Sequence, residues 1–283
     1  MIPAAFDYVR ARSVDEAIAL LREGGDDAKL LAGGHSLIPM MKLRFATPSK
    51  LIDIGGIPQL AGVQIGGHRV TIGALTTHAT IAADAKLAAA APVLWDAANQ
   101  LGDPQVRNRG TIGGSAAHAD PAADYPAVLL ALEATLEATG PGGKRSIAAA
   151  DFFRGMFETA LGHGDLLTAV AFDAAPHSAY VKFHHPASHY AVVGAAAVLT
   201  LEGGKIAGAR IALTGVGERA FRATAVERAL TGVAPADAAA VTAACAGAAR
   251  GIEARADTFA SAAYRSAMAE VYAARAVAAA AGR

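Results

Sequence analysis

The chain of 283 residues carries 25 basic and 25 acidic side chains, a zero formal balance that offers no broad field to nucleic acid or an anionic membrane. Hydrophobic residues make up 53% of it, much of that alanine, and no run reaches the uninterrupted apolar length of a membrane span. The length leaves room for a large core and points to more than one domain. Met1 runs straight into Pro3, Asp7 and Arg10, unlike a signal peptide, so a cytoplasmic protein is expected. Cys245 is the only cysteine, which excludes an intrachain disulfide and a cysteine-ligated iron–sulfur cluster held by this chain alone.

Ser13 followed by Glu16 has the form of a capping box, and Ala17, Ile18, Leu20 and Leu21 continue it as an amphipathic helix that Gly24-Gly25-Asp26-Asp27 ends. Lys29 to Ala32 reads as a short buried strand leading into the turn Ala32-Gly33-Gly34-His35-Ser36. Ser36 is placed to cap a helix over Leu37–Arg44, with Pro39 early enough to be tolerated. Leu51 to Ile54 is another strand, which makes a small α/β unit of the N-terminus.

Val70–Gly73 reads as a strand, Ile81–Ala90 as a helix, and Pro92–Leu101 as a helix with Trp95 on its buried face. A second glycine turn follows, Thr111-Ile112-Gly113-Gly114-Ser115. Tyr125–Glu133 is a buried helix or strand. Leu136–Thr139 and Arg145–Ile147 flank Gly140-Pro141-Gly142-Gly143 as a hairpin. Asp151–Phe157 has a helix-like, aromatic-rich pattern and Leu166–Phe172 an extended one. Pro176–Ser178 marks a domain boundary, with Tyr180–Phe183, Ala191–Leu201 and Lys205–Thr214 as three strands beyond it. Alanine-rich helices run from Thr224 to the end.

The two glycine turns are the informative pair. Paired glycines let backbone N–H groups converge on an anion with no Cβ in the way, and two such turns suit a ligand with a pyrophosphate. Arg107-Asn108-Arg109-Gly110 precedes the second turn, and His118, Asp120 and Asp124 follow it, a polar density unusual for packing alone. Asp124 reads either as a cap or as an acceptor for sugar hydroxyls of a cofactor. Gly215-Val216-Gly217-Glu218-Arg219-Ala220 matches the loose dinucleotide fingerprint, but a helical tail follows where a βαβ unit is required. His184, His185 and His189 lack a cysteine or close carboxylate to complete a ligand set, so no metal site is expected. No catalytic constellation is visible.

The run Leu30-Leu31-Ala32-Gly33-Gly34-His35-Ser36-Leu37-Ile38-Pro39-Met40-Met41-Lys42 resembles the FAD-binding medium subunits of molybdenum hydroxylases. So does Gln105 to Ser115, continuing through His118-Ala119-Asp120-Pro121-Ala122-Ala123-Asp124. Within that family the similarity is greatest to medium subunits of aerobic carbon monoxide dehydrogenase, and it covers essentially the whole chain. The resemblance implies an α+β fold. A two-part FAD-binding domain of the vanillyl-alcohol-oxidase-like type would span residues 1–176, in subdomains of 1–55 and 56–176. A three-stranded antiparallel sheet with helices would follow over 177–283.

It also implies the site. Ala32, Gly33, Gly34, His35, Ser36 and Leu37, with Thr111, Ile112, Gly113, Gly114 and Ser115, would hold the pyrophosphate and adjoining parts of FAD. Asp124, Leu167 and Lys182 would contact the cofactor elsewhere, and Tyr190 would lie beside the flavin ring. A small subunit with two [2Fe-2S] clusters and a large subunit with the molybdenum cofactor are the implied partners, in a dimer of heterotrimers that passes electrons to an external acceptor. Association with the inner face of a membrane would come only through that complex. A related hydroxylase acting on an aldehyde, purine or N-heterocycle, a stand-alone flavin oxidoreductase, and a nucleotide-binding scaffold without redox function are the alternatives.

Overall fold

The computed structural model describes residues 2–283. The first unit contains β1 (Asp7–Arg10), α1 (Val14–Gly24), β2 (Ala28–Leu31), α2 (Leu37–Lys42) and β3 (Lys50–Asp53). Its strands are parallel in the order β1-β3-β2, so each connection must cross over, and α1 and α2 lie in those connections. Ser13 caps α1 by accepting from the Glu16 N–H at 3.1 Å, while the Glu16 carboxylate accepts from Arg12 N–H at 2.7 Å, one residue before the cap. Helix α2 stops short of the expected Arg44, which turns left-handed at φ 62°.

The second unit opens with β4 (Val63–Gly66) and β5 (Arg69–Gly73) and then a run of short helices: α3 (His78–Ala83), α4 (Ala85–Ala90), α5 (Pro92–Gln100), α6 (Pro104–Arg109), α7 (Ile112–His118) and α8 (Tyr125–Ala131). It closes with β6 (Thr135–Gly140), β7 (Gly143–Ala148), α9 (Ala149–Phe152), β8 (Phe153–Gly155), β9 (Glu158–Thr159) and β10 (Leu166–Asp173). The main sheet is antiparallel in the order β4-β5-β10-β6-β7. Three expectations need correction here. The helix over Ile81–Ala90 breaks in two because the Asp84 carboxylate accepts from the N–H groups of Lys86 and Leu87, at 2.9 and 3.0 Å, and starts α4 afresh. On α5 the core face is Val93, Leu94, Ala97 and Ala98, with Trp95 only half-buried at its margin. Asp151–Phe157 is helical only to Phe152, then turns into the small β8–β9 ribbon.

The third unit is β11 (Ser178–His184), β12 (Ala191–Glu202), β13 (Lys205–Thr214), β14 (Phe221–Arg222), α10 (Thr224–Leu230), α11 (Ala238–Ala244) and α12 (Ala262–Ala281). The sheet runs antiparallel in chain order, and the two-residue β14 adds a fourth strand to the three expected. Strand β12 is buried on both faces. Ala195, Ala197 and Leu199 pack toward α12, while Ala196 and Val198 join the core of the second unit. Small side chains on both faces suit a strand covered on each side, which accounts for its alanine content. Among the described residues no helix is long and apolar enough to cross a membrane.

Candidate functional site

A cavity of about 670 Å³ lies where the three units meet. Its first wall is the segment from β2 to α2. The backbone N–H groups of Gly33, Gly34, His35, Ser36 and Leu37 donate to no group among the described residues, a row of free donors suited to an anion. Gly34 adopts φ 77°, a conformation that favours glycine. Gly33 is required by packing: a Cβ there would collide with the Arg109 carbonyl group and lie 2.9 Å from Gly110 Cα. Ser36 occupies the N-cap position of α2, but its side chain makes no capping hydrogen bond, contrary to expectation.

The second glycine segment is chemically different from the first. Thr111 caps α7, accepting from the Gly114 N–H at 3.0 Å, so Gly113 and Gly114 belong to a helix and not to an open turn. The other early N–H groups are also engaged. Ile112 donates to the Thr76 carbonyl at 3.1 Å, Gly113 to the Ala74 carbonyl at 2.8 Å, and Ser115 to the Thr111 carbonyl at 3.0 Å. A Cβ on Gly113 would press into Ala74. This segment therefore shapes the wall and offers the side chains of Thr111 and Ser115, while the first supplies the free amides.

Of the expected site residues, Ala32, Gly33, Gly34, His35, Ser36, Leu37, Thr111, Gly113, Gly114, Ser115, Asp124, Leu167, Lys182 and Tyr190 all line this one cavity. Ile112 does not; it points into the hydrophobic core. Asp124 is neither a helix cap nor free. Its carboxylate accepts from Lys182 Nζ at 2.9 Å and from the Tyr180 hydroxyl, both on β11. Burial pushes the Asp124 carboxyl up, more than the Lys182 ammonium and the Tyr180 hydrogen bond draw it down. The charge of Lys182 is thus met by Asp124 inside the protein. Tyr190, 45% exposed, stands at the mouth with Ser188 and His189, between β11 and β12.

Several lining residues carried no sequence signal. Phe157, held left-handed at φ 57°, packs its ring 5.0 Å from that of His118, and its N–H donates to the carbonyl of Ala119, itself left-handed at φ 49°. His78 lines the cavity beside Gly110. Arg107 turns inward, donating to the carbonyls of Leu101 and Gly102 at 2.9 and 3.1 Å. Arg109 lies instead on a separate pocket of about 160 Å³, shared with Arg10 and Asp53 behind Gly33.

Residues 4–173 match the family described as the FAD binding domain in molybdopterin dehydrogenase. The chain belongs to this family. Residues 178–280 match a second description, the carbon monoxide dehydrogenase flavoprotein C-terminal domain. The carbon monoxide dehydrogenase medium chain of Afipia carboxidovorans is 45% identical over 238 residues, covering 83% of this chain and 82% of that one. Subunit alpha of the 6-hydroxypseudooxynicotine dehydrogenase complex of Paenarthrobacter nicotinovorans is 42% identical over 234 residues, covering 81% and 79%. A chain in the solved carbon monoxide dehydrogenase of Hydrogenophaga pseudoflava, in a form lacking the Mo-pyranopterin moiety of its molybdenum cofactor, superposes with a TM-score of 0.94. Its identity is 44%, and the match covers 99% of this chain and 98% of that one. This family member therefore shares both halves of its length with molybdenum-enzyme medium chains.

Proposed function

We propose that this chain is the FAD-carrying electron-transfer subunit of a molybdenum hydroxylase complex, and that the complex oxidises carbon monoxide. The observation that carries the cofactor reading is the row of five free amides, Gly33 to Leu37, facing one large cavity. A diphosphate satisfies such donors without a metal or an arginine. In this reading the Ala32–Leu37 segment holds the pyrophosphate, and Thr111, Gly113, Gly114 and Ser115 form the facing wall. Leu167, Asp124 and Lys182 bound the deeper part, and Tyr190 adjoins the flavin ring. Ile112 supports the wall from the core. Residues 1–176 would form the FAD domain, and 177–283 the domain that closes its cavity.

FAD bound there supplies electron exchange between one-electron and two-electron partners. The chain's own residues position it, exclude water from Asp124 and Lys182, and leave the mouth at Tyr190 open to a redox partner. Cys245 is buried and its thiol is pushed up to about 11, which makes it a poor cluster ligand. The [2Fe-2S] clusters and the molybdenum cofactor accordingly belong to a small and a large partner subunit, in a dimer of heterotrimers that delivers electrons to an external acceptor. Carbon monoxide is the favoured substrate because the 45% relative carries that name. A nitrogen-heterocycle hydroxylase is the second reading, since the 6-hydroxypseudooxynicotine relative follows at 42%.

The experiment is reconstitution. The isolated full chain should bind FAD, be reduced by dithionite, and be inert to carbon monoxide and aldehydes; adding the two partner subunits should restore turnover. Substrate-driven bleaching of the flavin in the isolated chain would instead favour a stand-alone oxidoreductase, and failure to bind FAD would leave the scaffold reading.

A further inference from the structure

His78 lies outside both glycine motifs, yet it is only 4% exposed and lines the cavity. Thr77 caps α3, and the His78 N–H donates to the Gly110 carbonyl at 3.0 Å, tying the ring to the approach of the second glycine segment. Gly110 sits between two close neighbours. A Cβ on Gly33 would come within 2.9 Å of Gly110 Cα, and a Cβ on Gly110 would come within 2.5 Å of His78 Nε2. The imidazole edge and the Gly33 end of the row of free amides thus both approach Gly110 and line the same cavity.

The ring's protonation follows from its partner. His78 Nδ1 is 3.1 Å from the Tyr125 hydroxyl, and Tyr125 is fully buried with no other hydrogen-bond partner among the described residues. A fully buried hydroxyl places its proton on the acceptor within reach, and among the described residues that acceptor is Nδ1. Burial, reinforced by the nearby His35 and Arg107, pushes His78 down to about 4, so the ring is neutral at physiological pH. A neutral imidazole that accepts at Nδ1 carries its proton at Nε2. Nε2 has no hydrogen-bond partner among the described residues and is not among the buried polar atoms that lack one, so it opens on the cavity that His78 lines.

We propose that His78 is a tautomer-locked hydrogen-bond donor to the diphosphate of the bound dinucleotide, its Nε2–H fixed by the Tyr125 hydroxyl. This rests on the FAD reading above. A neutral donor suits the place: an imidazolium beside His35 and Arg107 would be opposed by like charge, whereas a neutral N–H adds a bond to the diphosphate without one.

The test uses the full chain stripped of FAD and labelled with ¹⁵N-histidine. Long-range proton–nitrogen correlation should show His78 in the Nε2–H tautomer, and saturating FAD should shift its Nε2–H signal. The Nδ1–H tautomer, or an Nε2 signal indifferent to FAD, overturns the proposal. In fluorescence titrations His78→Phe should weaken FAD binding roughly tenfold to a hundredfold, the range for a hydrogen bond to a charged acceptor. Tyr125→Phe should weaken it less, by releasing the tautomer. The double variant, which leaves no stranded hydroxyl, should bind like His78→Phe alone. Wild-type affinity in the double variant overturns the donor role while the FAD reading stands; a wild-type chain that fails to bind FAD overturns both.

Discussion

Replacing Lys182 by Met deletes the ammonium that meets Asp124 while keeping the length and apolar bulk of its stem. The two side chains are 1% and 2% exposed, 2.9 Å apart, so solvent gives the stranded carboxylate no relief. Among the described residues only the Tyr180 hydroxyl remains as a partner. Breaking a buried pair by removing one member costs roughly 3–5 kcal/mol. Asp124 already lies above the usual carboxylate range through burial, and loss of Lys182 removes the largest opposing influence, raising it further. A carboxyl whose folded pKa exceeds its unfolded value contributes stability that is fully present below the unfolded pKa and lost as pH rises through the folded one. The deficit of the variant should therefore grow as pH rises above the ordinary carboxylate range, with a limiting slope of about 1.4 kcal/mol per pH unit. Urea unfolding at several pH values measures it. A deficit that is independent of pH, or below about 1 kcal/mol throughout, would refute the argument.

Gly33→Ala should destabilise the chain by about 1–3 kcal/mol and lower FAD occupancy, since its Cβ meets the Arg109 carbonyl group; Gly142→Ala, with nothing within 4 Å, should be neutral in urea unfolding and in flavin content. Ser36→Ala should weaken FAD retention while changing stability by no more than about 0.5 kcal/mol, because its side chain caps nothing; a loss of about 1 kcal/mol would show that it does. Arg265, 2% exposed, donates to the carbonyls of Val192 and Gly215 at 2.6 and 2.8 Å and pairs with Asp257. Arg265→Met should cost about 3 kcal/mol and speed amide exchange at the base of the Tyr190 segment; unchanged exchange there would show that this segment does not depend on the buried arginine.

Elements written in local chemistry were legible in the sequence. The cap at Ser13 and Glu16, the hairpin over Gly140–Gly143 and the long strand from Ala191 all declare themselves within a few residues. Strands β1 and β4 do not, because they are short and mostly exposed and so show no apolar alternation. The split at Asp84 was hidden for a different reason: its alanine-rich flanks suit a continuous helix, and only the carboxylate's preference for the next N–H groups stops it. Both glycine segments were visible, but not that one presents free amides and the other engaged ones. That difference depends on carbonyls of the distant turn after β5, Ala74 and Thr76, which no local pattern supplies. The His78–Tyr125 contact, 47 residues apart in the chain, is hidden in the same way.

The C-terminal sheet does more than cover the cavity. Along β11 the alternation of a strand sends Tyr180 and Lys182 to one face and Val181 and Phe183 to the other, toward the core under α12. The polar pair reaches back to Asp124 at the start of α8, 58 residues earlier than Lys182. A slip of one residue in the β11–β12 register would put an ammonium into the apolar core and leave Asp124 facing Val181 and Phe183, a double penalty that fixes the register strongly. The same three side chains thus set the register of one sheet, seal the deep wall of the cavity and join the second unit to the third. It follows that the first 176 residues, though they carry both glycine segments, do not enclose this cavity by themselves. Without β11 the Asp124 carboxylate has no cation, and the mouth has no Tyr190.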